Sequence, residues 1–126
     1  MWWISLILIC IAGIFNACMD IIKSRWVWSI FRNVKNQQWF DPSISWKNKW
    51  KDGDIQKGEK FLGSSTVFVF VTDFWHFCKF LMLLCISFSI VLYQPIFFWF
   101  IDWFLFYLVF TVTFEIFFSK ILMRKI

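Results

Sequence analysis

One histidine, four cysteines and four glycines are scattered through 126 residues, and only 17% of the side chains are charged. Each shortage removes a class of protein. A single His rules out the histidine-rich sites of membrane desaturases and hydroxylases, which gather several imidazoles around their metal. The cysteines, at positions 10, 18, 78 and 85, have neither the paired spacing of a zinc site nor the density of a disulfide scaffold. Gly53, Gly58 and Gly63 punctuate one polar stretch and build no phosphate-binding loop, and no nucleophile elbow is present. Low charge beside 60% hydrophobic residues excludes intrinsic disorder. An ordinary soluble domain is excluded too, because 19 Phe and 10 Trp exceed what a globule of this length can bury.

What remains is an all-α integral membrane protein, and its apolar residues fall into three runs. Residues 1–22 carry no charge before Asp20 and match the roughly 20 residues of a bilayer-spanning helix. Residues 23–65 then hold nine of the 13 Lys and Arg, with turn signals at Asp41-Pro42-Ser43 and Asp52-Gly53-Asp54. Residues 66–92 read as a second span, Gln94-Pro95 as a break, 96–118 as a third span and 119–126 as a basic tail, all within a single membrane domain. The short 93–95 connection predicts that spans two and three form an antiparallel hairpin. Three spans put the loop and the tail on one side, and every Lys and Arg except Lys79 lies there. The positive-inside rule makes that side cytoplasmic, giving an N-out/C-in, multi-pass protein with a bacterial inner membrane as its expected location. Span one lacks the positive start and small-x-small site of a cleaved signal, so an uncleaved anchor is expected.

Within the loop, residues 25–40 mix Trp, Phe, Ile and Val with Lys and Arg, the composition of a segment lying in the headgroup layer. The run Trp46, Lys47, Asn48, Lys49, Trp50 concentrates indoles and cations, which suits binding to lipid headgroups or to a membrane partner, or a plain aromatic belt. A net charge of +5 is what the topology demands and gives no argument for nucleic acid.

The ionisable residues within the spans are the ones topology leaves unexplained. Each charge at depth costs something like 2.5 to 3.5 kcal/mol on insertion scales, so partners are expected. On span one, Ser5, Ile9, Ala12, Asn16, Asp20 and Lys23 form one stripe at helical period, which predicts a face turned to protein. Asn16, Asp20, Asp73, His76, Lys79 and Glu115 are expected to meet in the third of the membrane nearest the loop, with Lys79 pairing to Asp73 or to Asp102. Such a cluster could lock the helices, relay a proton, or hold a divalent metal through Asp20, Asp73 and His76. No cofactor is named by the sequence. The cysteines read as small packing residues.

The segments Asn16-Ala17-Cys18-Met19-Asp20, Ser45-Trp46-Lys47-Asn48-Lys49-Trp50, Ser65-Thr66 and Thr72-Asp73-Phe74-Trp75-His76 resemble those of small membrane proteins of bacteria and their phages. The resemblance covers most of the chain and implies no reaction. It implies a polar core of Asp20, Trp46, Asn48, Lys49, Asp73 and His76. Three functions are compatible with these residues. The first is a small non-enzymatic multi-span protein that binds lipid headgroups or a membrane partner at the inner face, alone or as a homo-oligomer. The second is a membrane-embedded enzyme or metal site acting on a lipid-type substrate through the Asp/His cluster. The third is a permeability factor of the holin kind, against which the long loop argues.

Overall fold

A computed structural model describes residues Met1 to Arg124; Lys125, counted above in the basic tail, lies outside the described residues. The described chain is helical throughout, with two isolated β-bridges and no strand. Its three long helices are α1 (Trp3–Ser24), α2 (Phe74–Val91) and α3 (Trp99–Ile116), the last continued by a π turn over Phe117–Ile121. All three are long and apolar enough to cross a membrane, as fits a small membrane protein. At helical rise the 18 residues of α2 reach about 27 Å, close to the hydrocarbon thickness of a bilayer.

The second helix starts eight residues later than the apolar run suggests. Thr66 to Val71 alternates Val and Phe, residues that lose side-chain freedom in a helix, and no capping side chain precedes it. The segment folds instead into turns closed by the Thr66 and Phe68 amides on the Gly63 carbonyl, at 3.1 and 2.8 Å. Asp73 then supplies the missing cap, its carboxylate accepting the His76 backbone N–H at 2.8 Å. Asp73 therefore stands at the mouth of α2 and not seven residues inside a span.

The helices pack around α1. Both α2 and α3 lie along it and scarcely touch one another, so the expected hairpin exists in chain connection while its packing runs through the first helix. The cause is the distribution of small residues, since Ser5, Ala12, Gly13 and Ala17 of α1 are buried and admit close neighbours. Towards α2, Ser5 and Ser89 exchange bonds, each hydroxyl donating to the other's carbonyl at 3.0 and 3.2 Å. Further along that seam the Cys18 and Cys78 thiols meet in a core with Ile21, Ile22 and Leu122. Towards α3, the Cys10 sulfur lies 3.4 Å from the Thr113 hydroxyl, and Gly13 abuts the Phe110 backbone.

One end of the bundle carries the α2–α3 connection, where the Met1 amine meets the Gln94 side chain. Asp102, in the first turn of α3, is fully buried there and accepts the Tyr93 hydroxyl and the backbone N–H groups of Ile96 and Phe97, the amides at 3.0 and 3.1 Å. The loop and the C-terminal residues share the other end, as the count of spans predicts. They are stitched together by Ile30 N–H on the Leu122 carbonyl at 2.8 Å, and by the Arg124 amide and guanidinium on the Trp28 and Val27 carbonyls, both at 2.6 Å.

The loop is a folded cap of short helical turns. Asp41 caps Pro42–Ser45 by accepting the Ser43 amide at 3.0 Å, Trp50 bridges Glu59, and Phe31, Phe40 and Phe74 pack ring to ring at 4.7 to 5.6 Å, docking the cap on the start of α2. Glu59 closes the Gly63 turn by accepting the Gly63 and Ser65 amides, at 3.1 and 3.3 Å, and the Ser65 hydroxyl. The Ser65 hydroxyl first, and then the Gly63 amide, hold this carboxyl below the usual carboxylate range. A carboxyl with a depressed folded pKa stabilises the turn above its ordinary pKa and loses that contribution as pH falls through the depressed one. Acidification below about pH 4 is accordingly expected to lower the protection of the Gly63 and Ser65 amides, measured against their intrinsic exchange rates at each pH. Glu59→Gln should exchange quickly at neutral pH and show no further acid step; a wild-type exchange rate that stays protected through this range would contradict the assignment.

Candidate functional site

The two groups of residues singled out by the sequence do not assemble as groups. Asp20 and Glu115 are exposed, Glu115 accepting the Ser119 hydroxyl one turn on at 2.8 Å, and Asn16 is half-buried. Among the described residues no three His, Cys, Asp or Glu side chains gather closely enough to hold a metal ion, the set Asp20, Asp73 and His76 included. Lys79 and Asp102 stand near opposite ends of the bundle, and Lys79 turns to the Trp75 ring, 5.5 Å from its centroid. Ser87 of α2 is exposed and donates its hydroxyl back to the Leu83 carbonyl at 2.8 Å.

One pair does form. The His76 Nδ1 lies 2.9 and 2.8 Å from the two Asp73 carboxylate oxygens, and its ring stands edge-on to Trp75 at 4.9 Å. With Nδ1–H donated to the carboxylate, the neutral ring presents Nε2 as an acceptor, while protonation makes the pair a salt bridge. Asp73 is nearly buried and the His76 side chain is 26% exposed, so the imidazole edge reaches open space. The pair is local, three residues apart on one helical turn, which is why a single capping residue can position it.

That edge opens into a cleft of about 240 Å³ between the loop and the bundle, lined by Lys23, Pro42, Ser45, Trp46, Asp73, Trp75 and His76. Four elements contribute: the end of α1, the Asp41-capped turn, the Trp46–Lys49 turn and the start of α2. The walls are mostly apolar and indole-rich, with Lys23 Nζ 5.8 Å from the Trp75 centroid. Trp75 is thus approached by two ammonium groups, an arrangement that keeps positive charge at the cleft without a carboxylate partner for either lysine among the described residues.

Of the aromatic-basic run, Trp46 alone lines this cleft. It fixes its indole by donating Nε1–H to the Ser43 carbonyl at 3.0 Å and carries Lys47 Nζ 5.5 Å from its ring. Asn48 is a tie inside the cap, its amide donating to the Gln38 and Thr72 carbonyls at 2.7 and 2.8 Å and its oxygen accepting from Gln38. The Lys49 carbonyl takes the Ser64 hydroxyl at 2.6 Å, and the Trp50 indole N–H is buried without a partner among the described residues. Ser45 and Trp75 were not legible as site residues. Each lies inside a segment that drew attention in the sequence, Trp75 in Thr72–His76 and Ser45 in Ser45–Trp50, but Ser45 reaches the cleft through the Asp41 cap, a contact with no local signal.

No protein-family model, curated protein or solved structure matches the chain, so the likeness to small bacterial and phage membrane proteins gains no support from these comparisons.

Proposed function

We propose that this is a non-enzymatic membrane protein of the bacterial inner membrane that holds an anionic lipid headgroup in the cleft, with the loop and C-terminus in the cytoplasm. The observation that carries the reading is the lining of the cleft, where Lys23, His76, Trp46 and Trp75 face one open space at the mouth of α1 and α2. Indoles and cations at the end of a crossing helix are what headgroup-depth recognition uses, and a basic side chain near an anionic surface contributes about 1 kcal/mol. A headgroup phosphate in this position would meet the Lys23 ammonium and the edge of the His76 ring that Asp73 orients.

Titration of the purified protein with phosphatidylglycerol, followed by tryptophan fluorescence, is the direct test. Lys23→Ala together with His76→Gln should weaken binding by on the order of tenfold while phosphatidylcholine binding stays the same. Equal binding of phosphatidylglycerol by wild type and variant would sink the proposal. Asp73→Ala is expected to cost about 0.5–2 kcal/mol through the lost cap, measured as a lower melting temperature. It should also weaken phosphatidylglycerol binding, and Asp73→Asn should restore stability better than it restores binding.

A second reading rests on Asp73, His76 and Ser45 sharing the cleft. A His oriented by a carboxylate, with a serine lining the same cleft, supplies the residue types of an acyl-transfer site, here with a lipid ester as substrate. A fluorophosphonate probe that labels wild type and not Ser45→Ala would favour catalysis over binding; absence of labelling removes it.

A further inference from the structure

The segment Phe61–Val71, just ahead of α2, exposes Phe61, Leu62, Val67, Phe68 and Val71, with Leu62 91% and Val67 72% exposed. Leu62 and Val67 are the most exposed large apolar side chains of the cap, and a contiguous patch of this kind calls for an apolar neighbour. We propose that this segment is a wedge that enters the lipid leaflet beside α2, so that the cap is fastened to the bilayer by a second, non-spanning insertion.

Continuity with α2 identifies lipid as the occupant. Phe70 stacks on Phe80 at 4.1 Å with the rings 12° from parallel, and the exposed face of α2 runs on from Phe80 through Leu83 and Leu84. The wedge and the lipid-facing side of the helix are therefore one apolar surface. Lys57 and Lys60 precede the wedge and Lys79 lies exposed at the α2 end of it, the distribution that meets anionic headgroups around an inserted apolar tip.

Irregular backbone enters hydrocarbon badly unless its polar groups are already bonded. Here most are. The Gly63 and Ser65 amides go to the Glu59 carboxylate, the Ser64 amide to the Phe61 carbonyl, the Thr66 and Phe68 amides to the Gly63 carbonyl, and the Val71 and Thr72 amides to Phe68 and Val69. Gly63 makes the turn possible with φ +80°, and a Cβ there would sit 3.0 Å from the Phe68 ring. The tip is thus compact and apolar outside, with the amides of its Gly63 turn bonded internally.

The test places the photo-crosslinking amino acid p-benzoylphenylalanine at Leu62 or Val67 of the full chain, reconstituted in phosphatidylcholine–phosphatidylglycerol vesicles. Leu83 on α2 and Gln56 in the charged turn serve as the two references. Both wedge positions should give phospholipid adducts at a yield matching Leu83 and about tenfold above Gln56. Adducts at the Gln56 level, or crosslinks to a second copy of the chain in place of lipid, would overturn the proposal. Leu62 and Val67 are exposed, so the substitutions leave the fold intact, and unchanged helical circular dichroism confirms it. The result is independent of headgroup binding in the cleft, which the Lys23 and His76 variants address separately.

Discussion

Gly13→Leu is expected to separate α1 from α3 and to lower stability by about 3 kcal/mol or more. A Cβ at this position would lie 2.8 Å from the Phe110 carbonyl oxygen and 3.3 Å from the Thr113 Cβ. The nearer atom is backbone and cannot swing aside, so the helix itself must move. Gly13→Ala meets the same oxygen, but alanine recovers roughly 0.5–1 kcal/mol of helix propensity, leaving a smaller net loss. A series from Gly to Ala to Leu, followed by loss of helical signal in denaturing detergent, should therefore fall already at Ala, where the Cβ first meets the Phe110 carbonyl, and further at Leu. Equal midpoints across the three would show that α1 and α3 do not meet at Gly13.

Asp102→Leu should disorder the α2–α3 connection. The carboxylate is the acceptor for two backbone amides and a phenol, and leucine is of similar size with no acceptor at all. The Ile96 and Phe97 amides would be left facing apolar surroundings, where an unbonded N–H is expensive and cannot persist. The chain should open to water, and proteolysis between Tyr93 and Phe98 should quicken by at least about tenfold. Asp102→Asn keeps one acceptor oxygen and should show a fraction of this effect. Protection of Asp102→Leu equal to wild type would mean that the turn is held by Pro95 and its packing instead. Lys79→Ala should leave the connection unchanged, because that ammonium sits with Trp75 near the other end.

Much of the fold was legible because hydropathy and chain order determine it. Three apolar runs and the break at Gln94-Pro95 are local features, and local features decide helix existence. The placement of ionisable residues followed less well. Helical period put Asn16 and Asp20 on the stripe with Ser5 and Ala12, but the buried face of α1 is set where neighbours can approach most closely. Small residues Gly13 and Ala17 turn it away from Asp20, which is left exposed at the helix end. Asp73 was read as a charge inside a span because the apolar run continues before it. The competing reading, an Asp cap preceding Phe-Trp-His, was written in the same residues. Asn48 looked like part of a binding run, yet its partners Gln38 and Thr72 are distant in sequence and only the folded cap brings them together.

The central position of α1 has a consequence for assembly. It is the first helix made, and its two seams wait for partners synthesised after the whole cap. Since α2 and α3 meet it separately, the bundle closes in two docking events that need not be coupled. The Ser5–Ser89 and Cys18–Cys78 contacts form one, and the Gly13 and Cys10 contacts form the other. Damage to the second seam loosens α3 along its length while Leu122 in the core and Arg124 on the loop still hold its far end, so the third helix would hinge from a site-bearing half and not detach from it.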